Sequence, residues 1–234
     1  MTSEAIILAG GFGTRLRSAV SDVPKPLAPI NGVPFLARLL GHLARRGFDS
    51  VVLAVGYRHE QILAYLNSHP VGIEVRYSIE ENALGTGGAV KLALRQVHGD
   101  DVFVLNGDTF KSLNHRAMLE QHRRSSADMT VCLTTVSDRS RYGSVQVDDH
   151  GRIVRFVEKS EVAAGFVNAG VYVINRSWAL TAWPEGVFSL EADVLLRLHH
   201  QSLIMGFLSE GDFLDIGTPE SYADATRFVA LLDT

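Results

Sequence analysis

Residues 5–8 form an apolar run, AIIL, that passes directly into the glycine-rich segment AGGFGTRLR at 9–17; VPKPL follows at 23–27. A buried strand running into a glycine loop brings bare backbone close to whatever binds at the strand's end. Arg15 and Lys25 add fixed positive charge there, and Lys25 lies between Pro24 and Pro26, which restrict the backbone on both sides. This combination fits an anion of triphosphate size. Two familiar alternatives fail on spacing. No Gly-x4-Gly-Lys-Ser/Thr occurs, and after Gly11 and Gly13 the third slot of Gly-x-Gly-x-x-Gly is Leu16. A plain tight turn accounts for Gly10 and Gly11 but leaves the two cations unexplained.

Beyond the loop, compact apolar runs alternate with segments of helical period. Residues 4–8 read as a strand. Phe35, Leu36, Leu39, Leu40 and Leu43 share one helical face that ends at Gly47, and residues 51–55 form a second strand. A helix over 60–67, a strand over 73–77, a helix over 87–97 and a strand over 102–105 continue the alternation. The pattern predicts an α/β fold in which a parallel sheet is covered by helices on both faces. From residue 129 the strands shorten, at 129–133, 144–147, 153–157 and 167–174, with a turn at Asp149-His150-Gly151. The second half therefore reads as a mixed extension of the same sheet that receives a second ligand. With 234 residues and no internal repeat, the chain is expected to form one domain with halves at about 1–128 and 129–234.

Composition narrows the function. A net charge of -4 without a long basic run argues against nucleic acid as partner, since Arg123-Arg124 is too short to form a basic face. Neither a signal peptide nor a membrane span is read at the start of the chain, which predicts a soluble cytoplasmic protein without a membrane partner. The one cysteine, Cys132, lies in a strand-like run and is expected in the core. The nine histidines show no zinc spacing and are expected at surface or packing positions. Trp178, Trp183 and the segment 184–188 are assigned to the core in preference to an interface.

Carboxylates carry the chemistry. The strand-like DVFVLNGD ends in Asp108, and ligands of open parallel sheets sit outside the carboxyl ends of the strands. The bland alternative is an Asn-Gly-Asp turn with Asp108 capping a helix. A second acid, Asp215, occurs in FLDIGTPE, where Thr218 and Pro219 already make a good helix start. Two aspartates at strand ends suit Mg²⁺ held jointly with phosphates. Ahead of both in the chain, EENALGTGG at 80–88 opens a helix. A carboxylate has only acceptors, and guanine presents a ring N–H beside an amino group, so one Glu can receive both. Glu80 is the first candidate for that role and Glu81 its rival.

With these motifs assembled, the chain resembles the sugar-1-phosphate nucleotidyltransferases over almost its full length. The resemblance rests on GGFGTRLR, VPKPLAPI, EENALGTGGA, LNGD, the Glu158-Lys159 pair, Asn168-Ala169-Gly170 and LDIGTPE. Within the family it is most similar to the bacterial D-glycero-α-D-manno-heptose 1-phosphate guanylyltransferases, through runs such as KPLAPING, LAVGY and VLNGDTF. The resemblance implies a Rossmann-like nucleotidyltransferase fold and Mg²⁺-dependent formation of a GDP-sugar from GTP for cell-surface polysaccharide. It also implies a homodimer. Nucleotide contacts are implied for Leu8, Ala9, Gly10, Gly11, Gly13, Thr14, Arg15, Lys25, Glu80, Gly85 and Thr86. Metal binding is implied for Asp108 and Asp215, and sugar-phosphate contacts for Asn106, Gly143, Glu158, Lys159, Asn168 and Gly170. Lys159 fits the 1-phosphate and Glu158 the sugar hydroxyls.

A sugar 1-phosphate is largely dianionic near neutral pH, with a second pKa of about 6, so its oxygen is already a nucleophile. The expected catalytic set, Arg15, Lys25, Asp108 and Asp215, serves to offset repulsion between two polyanions. Mannose 1-phosphate remains the competing substrate, and a catalytically silent sugar-nucleotide-binding subunit is the rival from another class. Retention of the pyrophosphate-handling set counts against the latter.

Overall fold

The computed structural model describes residues 4–13, 16, 20, 23–136, 144–157, 165–198 and 200–228. In chain order the strands and helices are β1 (Glu4–Leu8), β2 (Pro29–Ile30), β3 (Val33–Pro34), α1 (Phe35–Arg45), β4 (Ser50–Val55), α2 (His59–Ser68), β5 (Glu74–Ile79), α3 (Gly85–Ala93), β6 (Asp101–Asn106) and β7 (Thr109–Lys111). They continue as α4 (His115–Ser125), β8 (Met129–Thr134), β9 (Ser144–Val147), β10 (Ile153–Val157), β11 (Phe166–Asn175) and α5 (Arg176–Ala182). A π-helical turn, Leu190–Leu195, leads into α6 (Leu196–Leu198), followed by β12 (Ile204–Leu208), β13 (Phe213–Asp215) and α7 (Pro219–Asp224).

The main sheet runs β10-β9-β11-β6-β1-β4-β5, with β8 paired to β11 and β12 paired to β8. The pairs β6-β1, β1-β4 and β4-β5 are parallel, whereas β11 runs antiparallel to β6, β8 and β9. The expected mixed extension of the sheet is thus present.

The period of two explains why the central strands are apolar throughout. Ala5, Ile7, Val51, Leu53, Val55, Phe103 and Leu105 enter one core with α1, α2 and Met118 of α4. Their neighbours Ile6, Val52, Ala54, Val102 and Val104 enter the other, with α3, α5 and the π turn. Each strand is sealed on both faces, so polar groups are admitted only at its ends. Cys132 is buried, and burial pushes its thiol up to about 12. Trp183 and Phe188 are buried in the second core with Trp178 packed against it, but residues 184–187, Val187 among them, are exposed, so the core assignment holds for the large rings and not for the segment between them.

The base of the sheet is fixed by Glu4. Its Oε2 accepts from the His98 and Gly99 N–H groups at 2.7 and 2.8 Å, and its Oε1 from Arg76 Nη2 at 2.6 Å. Burial alone would raise its pKa, but these donors bring it down to about 2. The predicted helix over 87–97 begins two residues earlier and ends at Ala93, with a 3-10 turn over Leu94–Gln96 completing it.

Three histidines are packed inside this scaffold: His42, His115 and His122. His42 stands edge-on to Phe110, with ring centroids 4.9 Å apart, and lies 6.2 Å from His115. Burial, then Arg46 and Arg45, lowers His42 to about 4. Burial, then His42 and Arg46, lowers His115 to about 3. Burial lowers His122 as well, opposed by Asp101. His42 and His115 are neutral in the folded state between about pH 5 and 6 but take up protons in the unfolded chain below 6.5. Their contribution is therefore complete above that pH and is lost as pH falls toward the folded values. Urea unfolding should show stability falling by roughly 1–3 kcal/mol per pH unit between about pH 6 and 5. That window lies above the ordinary 4.5 of a glutamate, so Glu4 does not confuse it. His115→Phe should make the slope shallower; an unchanged slope would remove His115 from this account.

Candidate active site

Parallel register aligns four strand ends. Leu8 pairs with Ala54 on one side and Asn106 on the other, and Val55 pairs with Ile79. The loops after β6, β1, β4 and β5 therefore emerge side by side. Backbone hydrogen bonds stitch them together: Gly107 N–H to Leu8 O (2.9 Å), Ala9 N–H to Ala54 O (2.8 Å) and Glu80 N–H to Val55 O (2.9 Å).

Glycine is needed where the loops touch. A Cβ on Gly107 would lie 2.4 Å from Leu8 O, and one on Gly10 would lie 2.8 Å from Glu80 Oε1. Gly13 has a φ of +59°, and its missing Cβ would meet Lys25 Cβ at 2.9 Å. The loop therefore lies directly on the lysine. Gly11 faces open space.

Glu80 and Glu81 separate here. Glu80 is half-buried against Gly10 and Gly56, and its Oε2 accepts from Leu84 N–H at 2.9 Å, whereas Glu81 is exposed. Burial raises the Glu80 pKa, and the Leu84 hydrogen bond opposes that rise. Among the two, Glu80 is the carboxylate positioned beside the glycine loop.

The acids converge through a ladder three residues long. Strand β13 pairs antiparallel with β7, placing Asp215 opposite Thr109, and Ile216 N–H donates to Asp108 O at 3.0 Å. Asp108 and Asp215 thus share the carboxyl end of β6. Lys25 Nζ donates to Asp108 Oδ2 in an ion pair; the lysine is nearly buried, while 34% of the Asp108 side chain stays exposed. Asp215 Oδ1 accepts from Gly217 N–H at 2.5 Å. Helix α7 has its own capping box between Thr218 and Ser221, and α4 is capped by Asn114. Neither aspartate serves as a helix cap. Oxygen donors without histidine or cysteine fit a hard divalent cation. Among the described residues no group of three or more His, Cys, Asp or Glu could hold a metal, so water and phosphate would complete such a shell.

Of the sugar-side candidates, Asn106, Asn168 and Gly170 gather at the same end. The β11–β8 register shifts between Asn168 and Tyr172, and Gly170 sits in that irregularity at φ +71°. A Cβ there would lie 2.6 Å from Asn106 Nδ2 and 2.8 Å from Thr109 Oγ1, so the bulge presses β11 backbone onto the end of β6. Gly170 N–H donates to Asn168 Oδ1 at 2.9 Å.

The glycines opening α3 have a packing role that the sequence did not disclose. A Cβ on Gly85 would meet Phe188 O at 2.5 Å, on Gly87 the Phe188 ring at 2.3 Å, and on Gly88 Gly186 O at 2.4 Å. Thr86 Oγ1 accepts from Leu190 N–H at 2.9 Å. The segment 186–190 is strapped across the start of α3, and Lys91 Nζ extends the strap by donating to Trp183 O and Glu185 Oε1. Thr14, Arg15, Gly143, Glu158 and Lys159 lie outside the described residues. Leu8 and Ala9 sit at the start of the loop, where the Leu8 carbonyl and Ala9 N–H are already engaged by Gly107 and Ala54. A cavity of about 550 Å³ near Leu66, Pro70 and Tyr77 opens at the opposite end of β4 and β5, away from these charges.

An α/β sheet with a glycine loop, a lysine and paired aspartates at level strand ends defines a protein built to handle phosphates at the carboxyl edge. The chain belongs to the nucleotidyl transferase family, whose model matches residues 4–231. It is 42% identical to a D-glycero-alpha-D-manno-heptose 1-phosphate guanylyltransferase of Aneurinibacillus thermoaerophilus, over 96% of this chain and 97% of that one. A Mycobacterium tuberculosis mannose-1-phosphate guanylyltransferase is 34% identical over 97% of this chain but 66% of its own length. The crystal structure of HddC from Yersinia pseudotuberculosis complexed with GMP-PN superposes with a TM-score of 0.87 at 32% identity, covering 97% of this chain and 99% of that chain. The fold is the Rossmann-like one of these nucleotidyltransferases.

The close approaches make a direct prediction about stability. Gly107→Ala places a methyl against an immovable carbonyl and should cost about 1–3 kcal/mol in urea unfolding. Gly11→Ala should stay within about 0.5 kcal/mol of wild type. Equal effects would contradict the level packing of β1 and β6.

Proposed function

We propose that the protein transfers GMP from GTP to a sugar 1-phosphate, D-glycero-α-D-manno-heptose 1-phosphate, releasing pyrophosphate and GDP-heptose. The observation that carries this reading is the β7–β13 ladder, which sets Asp215 beside Asp108 at the level strand ends, where Lys25 pairs with Asp108. Heptose is favoured over mannose by the relative matched at 42% identity across nearly its whole length. The product suits cell-surface polysaccharide assembly, and a cytoplasmic setting suits the substrates. Among the described residues no helix is long and apolar enough to cross a membrane.

The chain's residues divide the work by charge. Residues 1–128 would hold the nucleotide: the 8–13 backbone and Arg15 around its phosphates, with Gly85 and Thr86 flanking the base that Glu80 reads. Residues 129–234 would hold the sugar phosphate, with Lys159 on the 1-phosphate, Gly143, Glu158 and Gly170 around the sugar, and Asn168 beside them next to Asn106. An oxygen of the 1-phosphate attacks the α-phosphorus as the bond to the β-phosphate's bridging oxygen breaks. No general base is required, because the nucleophile is already deprotonated. Lys25 and Arg15 offset the charge of the departing pyrophosphate. Asp108 and Asp215 would hold Mg²⁺, which supplies Lewis-acid neutralisation of the reacting phosphates.

Three measurements test this. Pyrophosphate release from GTP with a panel of sugar 1-phosphates should be fastest with the heptose; a faster rate with mannose 1-phosphate would reassign the substrate, and no release with any sugar would favour a silent binder. Lys25→Ala should lower turnover by about 10²–10³-fold while circular dichroism still shows a folded protein; near-normal turnover would remove Lys25 from the catalytic set. Glu80→Gln should erode the preference for GTP over UTP by about 10- to 100-fold, and an unaltered preference would remove Glu80 from base reading.

A further inference from the structure

We propose that Glu191 accepts hydroxyl hydrogen bonds from the sugar, and that Asn168 is its positioning residue rather than a direct ligand. The inference rests on the guanylyl-transfer reading above and adds a residue to the sugar side.

An asparagine amide offers two N–H donors and one carbonyl. In Asn168 the donors are both engaged, to Tyr172 Oη at 2.8 Å and to Glu191 Oε1 at 3.2 Å. The carbonyl receives Gly170 N–H at 2.9 Å, and that backbone donor fixes which end of the amide is oxygen. Asn168 therefore has no N–H left for a sugar oxygen. Glu191 is exposed, and the Asn168 contact uses one of its roughly four acceptor positions. A polyol presents O–H groups, so the carboxylate is the better-matched partner.

Its position is built from both halves of the molecule. Glu191 is the second residue of the π-helical turn, and short π segments are frequent at functional sites. The preceding residues are tied to the α3 start by Phe188 N–H to Leu84 O (3.0 Å), Gly87 N–H to Phe188 O (3.0 Å) and Leu190 N–H to Thr86 Oγ1. Leu84 is in turn held by Glu80. Asn168 anchors the carboxylate to the β11 bulge that touches Asn106 and Thr109. Behind the amide, the Tyr172 ring is buried; burial, then the charge of Glu191, and more weakly that of Asp108, keep its phenol protonated. Glu191 thus belongs to the Asp108 end of the sheet.

The test uses the full-length protein and two independent readouts. In steady-state assays Glu191→Ala should raise the KM for sugar 1-phosphate at least tenfold while the KM for GTP stays within twofold, with Glu191→Gln intermediate. Calorimetry with a panel of monodeoxy sugar 1-phosphates should find one hydroxyl whose removal weakens binding to wild type but not to Glu191→Ala. Asn168→Ala should weaken sugar binding yet leave the loss from that same missing hydroxyl measurable. An unchanged sugar KM in Glu191→Ala, or equal deoxy losses in both proteins, would overturn the proposal. If wild type releases no pyrophosphate with any sugar, the transfer reading fails, and calorimetry still decides whether Glu191 meets the sugar.

Discussion

A strand buried on both faces can present chemistry only at its ends. Every interior position of β1, β4 and β6 is committed to one of two cores, and the two sets alternate residue by residue. Charged groups must gather where the strands stop. Because the parallel register stops them level, four short loops meet along one line. That meeting of loops is a consequence of the packing, and the loops need only small residues to approach one another.

That line would bind an anion with one half of the machinery missing if the chain ended at β6. The small β7–β13 ladder completes it by returning a segment more than a hundred residues distant to the end of β6. Main-chain hydrogen bonding fixes the relation of Asp215 to Asp108, so the pair does not depend on flexible side chains finding each other. The Lys25–Asp108 ion pair then links the aspartates to the glycine loop, since Gly13 rests on the same lysine. Positive and negative groups are assembled by three separate segments whose contacts are mutually dependent.

Much of the first half was legible in the sequence because its strands have no polar alternative: continuous apolar runs between helical periods admit few other folds. The strands at Ser144–Val147 and Ile153–Val157 were also readable, from their alternation. What escaped was short or defined by a distant partner. Strands β7 and β13 have three residues each, too few for a periodic signal, and β12 is interrupted by Gly206, which packs under Leu133. Composition could nominate Glu80 and Glu81 together but not choose, because the choice depends on which one turns toward Gly10 and Gly56. The glycines at 85–88 illustrate the same limit: a glycine that admits a ligand and one that admits Phe188 look identical in sequence.

Asn168 shows the same dependence on distant partners. An amide near a sugar site is naturally taken as a ligand, and residue type supports that view. Counting its donors and acceptors changes the conclusion, because each N–H has a partner in the protein and its oxygen receives a backbone N–H. A saturated amide orients its neighbours. The unsaturated group in that network is the carboxylate of Glu191, contributed by a turn that the glycines of α3 hold in place. Recognition on the sugar side would then depend on the strap across the nucleotide side, giving the two halves of the molecule a physical connection through the Glu80–Leu84–Phe188 hydrogen bonds.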